Sequence, residues 1–183
     1  MAAAHPSNPT VVILAGGLST RMGCDKAQVR LGRRTLLGHV KAAADATDWH
    51  VKVIRKDVVE RCGPLGGILT ALKQSRAETL VFLSCDMPFI SSTWIKKLVR
   101  VQKQTGAKAV FTQQEEFAGF PFVLCAETLE IVEQQRAQGR YSLQALAKVL
   151  KADMMDVPEK RIHEFMNVNT PEALEEAKRL TKR

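Results

Sequence analysis

"VVILAGGLSTRMGCDKA", residues 11–27, opens with five apolar residues and then places three glycines, an arginine, an aspartate and a lysine in the next twelve. Such an apolar run, stopped abruptly by glycine, reads as a strand buried in a sheet. Ala15, Gly16 and Gly17 remove side-chain bulk where the backbone leaves the carboxyl end of that strand, the edge at which open α/β sheets bind ligands. Backbone N–H groups there can face a phosphate, Arg21 and Lys26 add two positive charges, and Gly23 lets the loop turn between them. The arrangement suits a triphosphate; the plain alternative is a glycine-rich turn with surface charges.

Working outward, short apolar runs alternate with helical patterns. Val11–Leu14, Val51–Ile54, Leu80–Leu83 and Ala109–Phe111 read as strands, whereas "TLLGHVKAAADA", "GGILTALKQS" and "STWIKKLVRVQKQ" carry apolar residues at helical spacing. This alternation predicts an α/β fold with a mostly parallel central sheet. Thr35 and Ser91 or Ser92 suit helix N-caps, and Gly106 suits a left-handed residue after the third helix. At the end of the chain, Thr170 caps a helix with Pro171 in its first turn, early Glu172 and Glu175, and the cations of "KRLTKR" at its negative end. Residues 113–165 are less regular: a Gly-Phe-Pro-Phe segment, helices around Glu127–Arg136 and Ser142–Leu150, and a strand within Ala152–Val157.

At 183 residues, with 45% hydrophobic and 25% charged residues, the chain fits one domain with a substantial core. No repeat or linker divides it. The expected layout is a single domain, 1–183, with a nucleotide-binding half, 1–112, and an acceptor-binding half, 113–183. No apolar run approaches the roughly 20 residues of a membrane helix, and "MAAAHPSNP" does not resemble a secretory signal. Cys24, Cys62, Cys85 and Cys125 form no CxxC pair, which argues against a zinc ribbon or a disulfide framework and for a cytoplasmic protein. The net charge of +8 fits a polyanionic partner. Few aromatics, scattered basic residues and no zinc-finger or RRM signature argue against nucleic acid.

Two common phosphate motifs do not match: the P-loop requires GxxxxGK[ST], and the dinucleotide fingerprint GxGxxG is absent. The whole stretch "LAGGLSTRMGCDK" instead resembles the signature of the molybdenum cofactor guanylyltransferase family, within the α/β nucleotidyltransferase superfamily. "GPLGGILTAL" at 63–72, "LSCDMPFI" at 83–90, "GFPF" at 119–122 and "NVNTPEAL" at 167–174 follow in the family's order, so the resemblance spans almost the whole chain.

The resemblance implies a three-layer Rossmann-like nucleotidyltransferase fold and transfer of GMP from GTP to the terminal phosphate of molybdenum-molybdopterin, with release of pyrophosphate. Leu14, Ala15, Gly16, Gly17 and Lys26 would hold the nucleotide, and Arg21 and Lys26 would stabilise charge on the triphosphate and departing pyrophosphate. Asp86, after the strand Leu80–Leu83, would bind Mg2+; its plain alternative is a carboxylate that caps the turn before Pro88. Asn167 and Asn169 flank Val168 and leave one face of an extended stretch together, which suits a catalytic pair, although Asn169 could simply organise the turn into the last helix. Gly66 and Gly67 allow close backbone approach for base or ribose contacts, or close helix packing. Asp57 suits guanine's N1 and exocyclic amine, or is a surface-loop carboxylate. The resemblance also implies proteins that deliver molybdopterin and proteins that mature molybdoenzymes.

In one place the chain departs from the family. Between the first helix and "GPLGG" the family has two short strands, the first ending in a nucleotide-facing asparagine, whereas "HVKVIRKDVVERC" holds a single strand and no asparagine. Base choice therefore stays open between a guanylyltransferase, a cytidylyl- or sugar-phosphate nucleotidyltransferase of the same fold, and a non-catalytic nucleotide-binding adaptor.

Overall fold

In the computed structural model, which describes residues 8–16, 26–56 and 63–181, the opening apolar run becomes strand β1 (Thr10–Leu14). It pairs in parallel with β4 (His50–Ile54) on one edge and β5 (Thr79–Ser84) on the other, with Leu14 level with Ile54 and Ser84. Parallel strands need crossovers, and two helices supply them: α1 (Leu36–Asp45) before β4 and α2 (Pro64–Gln74) before β5. Among the described residues β4 is the single strand between those helices and ends the sheet on its side.

The sheet continues through β6 (Ala109–Gln114), β7 (Phe117–Cys125) and β8 (Asp153–Asp156) in the order β4-β1-β5-β7-β6-β8. β7 is antiparallel to both β5 and β6, whereas β6 and β8 are parallel, so five strands share one direction. The Gly-Phe-Pro-Phe segment lies within β7, beside a register shift between Phe111 and Thr112, and contains the cis Phe120–Pro121 bond. The strand expected within Ala152–Val157 is β8. Two features were not anticipated: the length of β7, and a hairpin of β2 (Arg30–Leu31) and β3 (Arg34–Thr35).

Alternation along β1 explains the three layers. Val11 and Ile13 face α1 and α3 (Ser92–Thr105), packing with Leu37, Val40, Trp94 and Leu98, while Val12 faces α2 with Ile68 and Leu72. α4 (Leu129–Ala137) and α5 (Leu143–Val149) add Val132 and Leu146 to the second face. A smaller apolar cluster joins Leu31 of the hairpin, Leu36, Val168 and Ala177 of α6 (Pro171–Thr181).

The caps follow the residue chemistry. Thr35 accepts from the Gly38 N–H, Ser91 from the Trp94 N–H, Ser142 from the Ala145 N–H and Thr170 from the Ala173 N–H. Gly106 ends α3 at φ 69°, a left-handed conformation that costs glycine little. At the start of α6, the Glu172 N–H and the Thr170 hydroxyl hold the Glu172 carboxyl below its usual range. Burial, followed by the nearby Glu127 charge, pushes the Cys125 thiol up, so it stays protonated and weakly nucleophilic at neutral pH. Among the described residues, no helix is long and apolar enough to cross a membrane.

Trp94 ties α3 to the second half of the sheet. Its indole N–H donates to Thr112 Oγ1 at 3.0 Å, and the Thr112 hydroxyl donates to the Pro121 carbonyl at 2.6 Å. Trp94→Phe keeps much of the apolar bulk but removes the donor to a buried hydroxyl, so urea unfolding should show a loss of about 1–3 kcal/mol. Unchanged stability would mean that this bond adds nothing net.

Candidate nucleotide site at the carboxyl edge of the sheet

Three strand ends leave the sheet side by side. The ladder extends one step past β1: the Ala15 N–H donates to the Ile54 carbonyl at 2.8 Å, and the Cys85 N–H to the Leu14 carbonyl at 3.1 Å. Gly16 follows, exposed, with the Arg55 backbone across from it. A Cβ built on Gly16 would lie 2.9 Å from the Arg55 carbonyl oxygen, closer than ordinary contact allows. Glycine is therefore needed here for the chains to meet, and it also leaves the backbone accessible from the carboxyl edge.

Asp86 stands in the turn after β5, half-buried. Ser84 Oγ donates to its Oδ1 at 2.6 Å, fixing the carboxylate's orientation. The late chain then returns to this point: the Val168 N–H donates to the Asp86 carbonyl at 2.8 Å. Val168 is fully buried, so Asn167 and Asn169, one exposed and one half-buried, flank the residue that is bonded to Asp86. Residues far apart in sequence are thereby joined at one corner of the sheet. The Ser84–Asp86 bond was missed in the sequence, although the Ser-Cys-Asp spacing puts hydroxyl and carboxylate within turn reach.

α2 begins at this edge. Gly63 takes φ 61° before Pro64 and, being glycine, contributes no side-chain cap to the helix start. Gly67 packs closely: a Cβ there would lie 2.9 Å from Leu14 Cδ2, so this glycine lets α2 sit on the end of β1. Gly66 is buried in the same turn, and its carbonyl accepts from Thr70 Oγ1 at 2.8 Å. The helix-packing reading thus accounts for Gly67 directly.

Gly17, Arg21, Gly23 and Asp57 lie outside the described residues. Lys26 opens the short 3-10 turn Lys26–Gln28, and its side chain lies outside the described atoms. Leu14, Ala15, Gly16, Gly66, Gly67, Asp86, Asn167 and Asn169 are described. Ala15 and Gly16 meet the end of β4 directly, the Leu14 carbonyl meets Cys85 just after β5, and Asn167 and Asn169 meet Asp86 through Val168.

The MobA-like NTP transferase domain matches residues 11–51 and 41–157, most of this chain. The chain belongs to this family. Similar members include a molybdenum cofactor guanylyltransferase from Xanthomonas euvesicatoria pv. vesicatoria, 34% identical over 173 residues that cover 89% of this chain and 90% of the relative. Another, from Pseudomonas entomophila, is 30% identical over 190 residues, covering 90% and 95%. As a member of the family, the protein is a nucleotidyltransferase.

Solved structures show the same fold. Molybdopterin-guanine dinucleotide biosynthesis protein A from Archaeoglobus fulgidus superposes with a TM-score of 0.74 at 20% identity, covering 94% of this chain and 98% of that one. The 2-C-methyl-D-erythritol 4-phosphate cytidylyltransferase from Thermus thermophilus gives 0.72 at 14% identity over 97% and 100%.

Gly16→Ala tests the close approach of the strand ends. Its Cβ meets backbone, so the ends of β1 and β4 must move apart, and overpacking of this kind costs about 1–3 kcal/mol. Thermal unfolding should record that loss, together with weaker nucleotide binding by calorimetry. Wild-type stability and affinity would show that the edge yields freely.

Proposed function

We propose that this protein transfers GMP from GTP to the terminal phosphate of molybdenum-molybdopterin and releases pyrophosphate. The observation that carries the reading is the corner itself: Gly16, Asp86 and the Asn167–Asn169 segment converge on one sheet edge. The family membership and the guanylyltransferase relatives support it.

In this reaction a terminal phosphate oxygen of the acceptor attacks the α-phosphorus of GTP. The bond from that phosphorus to the oxygen leading to the β-phosphate breaks, and pyrophosphate leaves with the electron pair. Both partners are anionic and no protein nucleophile is needed, so alignment and charge neutralisation dominate. The backbone at Ala15, Gly16 and Gly17 cradles the triphosphate, with Leu14 shaping the floor beneath it. Arg21 and Lys26 offset its charge and that of the leaving pyrophosphate. Asn167 and Asn169 present amides near Asp86, where they orient the acceptor phosphate. The start of α2 at Gly66 and Gly67, together with Asp57, provides for the ribose and guanine.

Mg2+ fits the donor set at Asp86: such an ion commonly takes one or two carboxylates plus substrate phosphates, and this carboxylate is half-buried, hydroxyl-oriented and at the ligand edge. When bound there, it would neutralise phosphate charge and hold the reacting oxygens in geometry. The same reading implies proteins that deliver molybdopterin and proteins that receive the finished cofactor, and it puts the reaction in the cytoplasm.

A cytidylyl-transferring reading shares the fold, as the Thermus thermophilus enzyme illustrates. One experiment separates the readings: calorimetric titration of GTP, CTP, ATP and UTP with Mg2+, followed by an assay of transfer to molybdopterin. GTP should bind tightest. Asp86→Ala should keep the circular dichroism spectrum and lose roughly hundredfold or more in transfer rate, as when a strong electrostatic stabiliser is removed. Preference for CTP would replace the base assignment; binding without transfer would make the protein an adaptor.

A further inference from the structure

The Asn167–Asn169 segment has one anchor at Asp86. A second anchor lies just before it, in the 3-10 turn Glu159–Phe165. There the Glu164 carboxylate, with a side-chain exposure of 12%, meets the start of α3: Ser91 Oγ donates to Oε2 at 2.5 Å, and Arg161 Nη1 lies 3.3 Å from Oε1. Ser91 is itself the N-cap, accepting from the Trp94 N–H at 3.3 Å. A carboxylate at this end of a 14-residue helix is also favoured by the helix dipole.

The next residue continues the attachment. Phe165 is 1% exposed and packs edge-on against Trp94, with ring centroids 4.9 Å apart, and the Met166 N–H closes the turn on the His163 carbonyl at 3.3 Å. Trp94 in turn holds Thr112 and, through it, Pro121 of β7. The chain therefore enters Asn167 from a turn fixed to the cap and first aromatic residue of α3.

We infer that Glu164 is a positioning residue that holds Asn167 and Asn169 in register with Asp86, an inference whose catalytic part rests on the function proposed above. It touches neither nucleotide nor acceptor in that reading. It acts by fixing the angle at which the asparagine segment leaves the turn packed on α3. In a reaction that depends on alignment, small displacements of such groups lower the rate more than they weaken substrate binding.

The test combines amide hydrogen exchange with kinetics. Glu164→Ala should raise exchange at the Val168 amide about tenfold while the β1 amides keep their protection, because only a local opening is favoured. It should also lower kcat about tenfold with the KM for GTP within about twofold, the pattern of a lost alignment. Glu164→Gln retains an oxygen for the Ser91 hydroxyl but loses the charge paired with Arg161, and Arg161→Ala leaves the same bond in place without the ion pair, so both should fall between wild type and Glu164→Ala in both readouts.

Unchanged Val168 exchange in Glu164→Ala would overturn the inference. So would increased exchange shared equally by β1, or a Gln variant as impaired as the Ala variant. Exchange is measured without substrate, so a wild-type protein inactive with every nucleotide defeats the proposed function alone, and Val168 still decides the role of Glu164.

Discussion

β1 is paired along both edges and covered on both faces. Val11, Val12 and Ile13 have no solvent exposure, so the chain can leave this strand only at its ends. Level pairing then brings Leu14, Ile54 and Ser84 out together, and the residues that follow each of them must share one small space. Gly16 is the response to that crowding, and in the proposed function the accessible backbone it leaves receives the triphosphate. In that proposal packing and binding make the same demand at this position.

The second half of the chain completes the corner. α6 and the β2–β3 hairpin bury Leu31, Leu36, Val168 and Ala177 together, and this apolar contact carries the asparagine segment to Asp86. A polar arrangement at the sheet edge is therefore supported from outside the central sheet, by a small hydrophobic cluster and by the turn fixed to α3.

Much of this was legible in the sequence because the period of the apolar residues matches the geometry that buries them. Val11–Leu14, Leu80–Leu83 and the pattern of "STWIKKLVRVQKQ" became β1, β5 and α3, with Ser91 and Gly106 as the cap and stop of α3, and Thr35 and Thr170 became the caps of α1 and α6. β7 was less visible. Gly119 and Pro121 are poor strand formers; Pro121 falls at the register shift, outside the paired positions, and the pairing of Phe122 with both Phe82 and Phe111 carries the strand on from there. The hairpin strands are too short for any period to show. At the site, motif order pointed to Asp86, Asn167 and Asn169, but not to the Val168 bond or to Ser84 and Glu164, which depend on contacts between distant segments.

The placement of β7 has a consequence for the order in which the chain acquires its structure. β5 and β6 both precede β7 in sequence, yet they are joined only through it, and both neighbours of β6 lie later in the chain. A nascent chain ending at residue 116 would hold β1, β4 and β5 with one edge of β5 unpaired, and β6 with no sheet partner at all. Open strand edges invite pairing with other chains. The aromatic-rich segment Phe117–Cys125 is thus the piece whose arrival joins the two halves of the sheet, and until it is synthesised the strands that lead to Gly16 and Asp86 form a half-built platform.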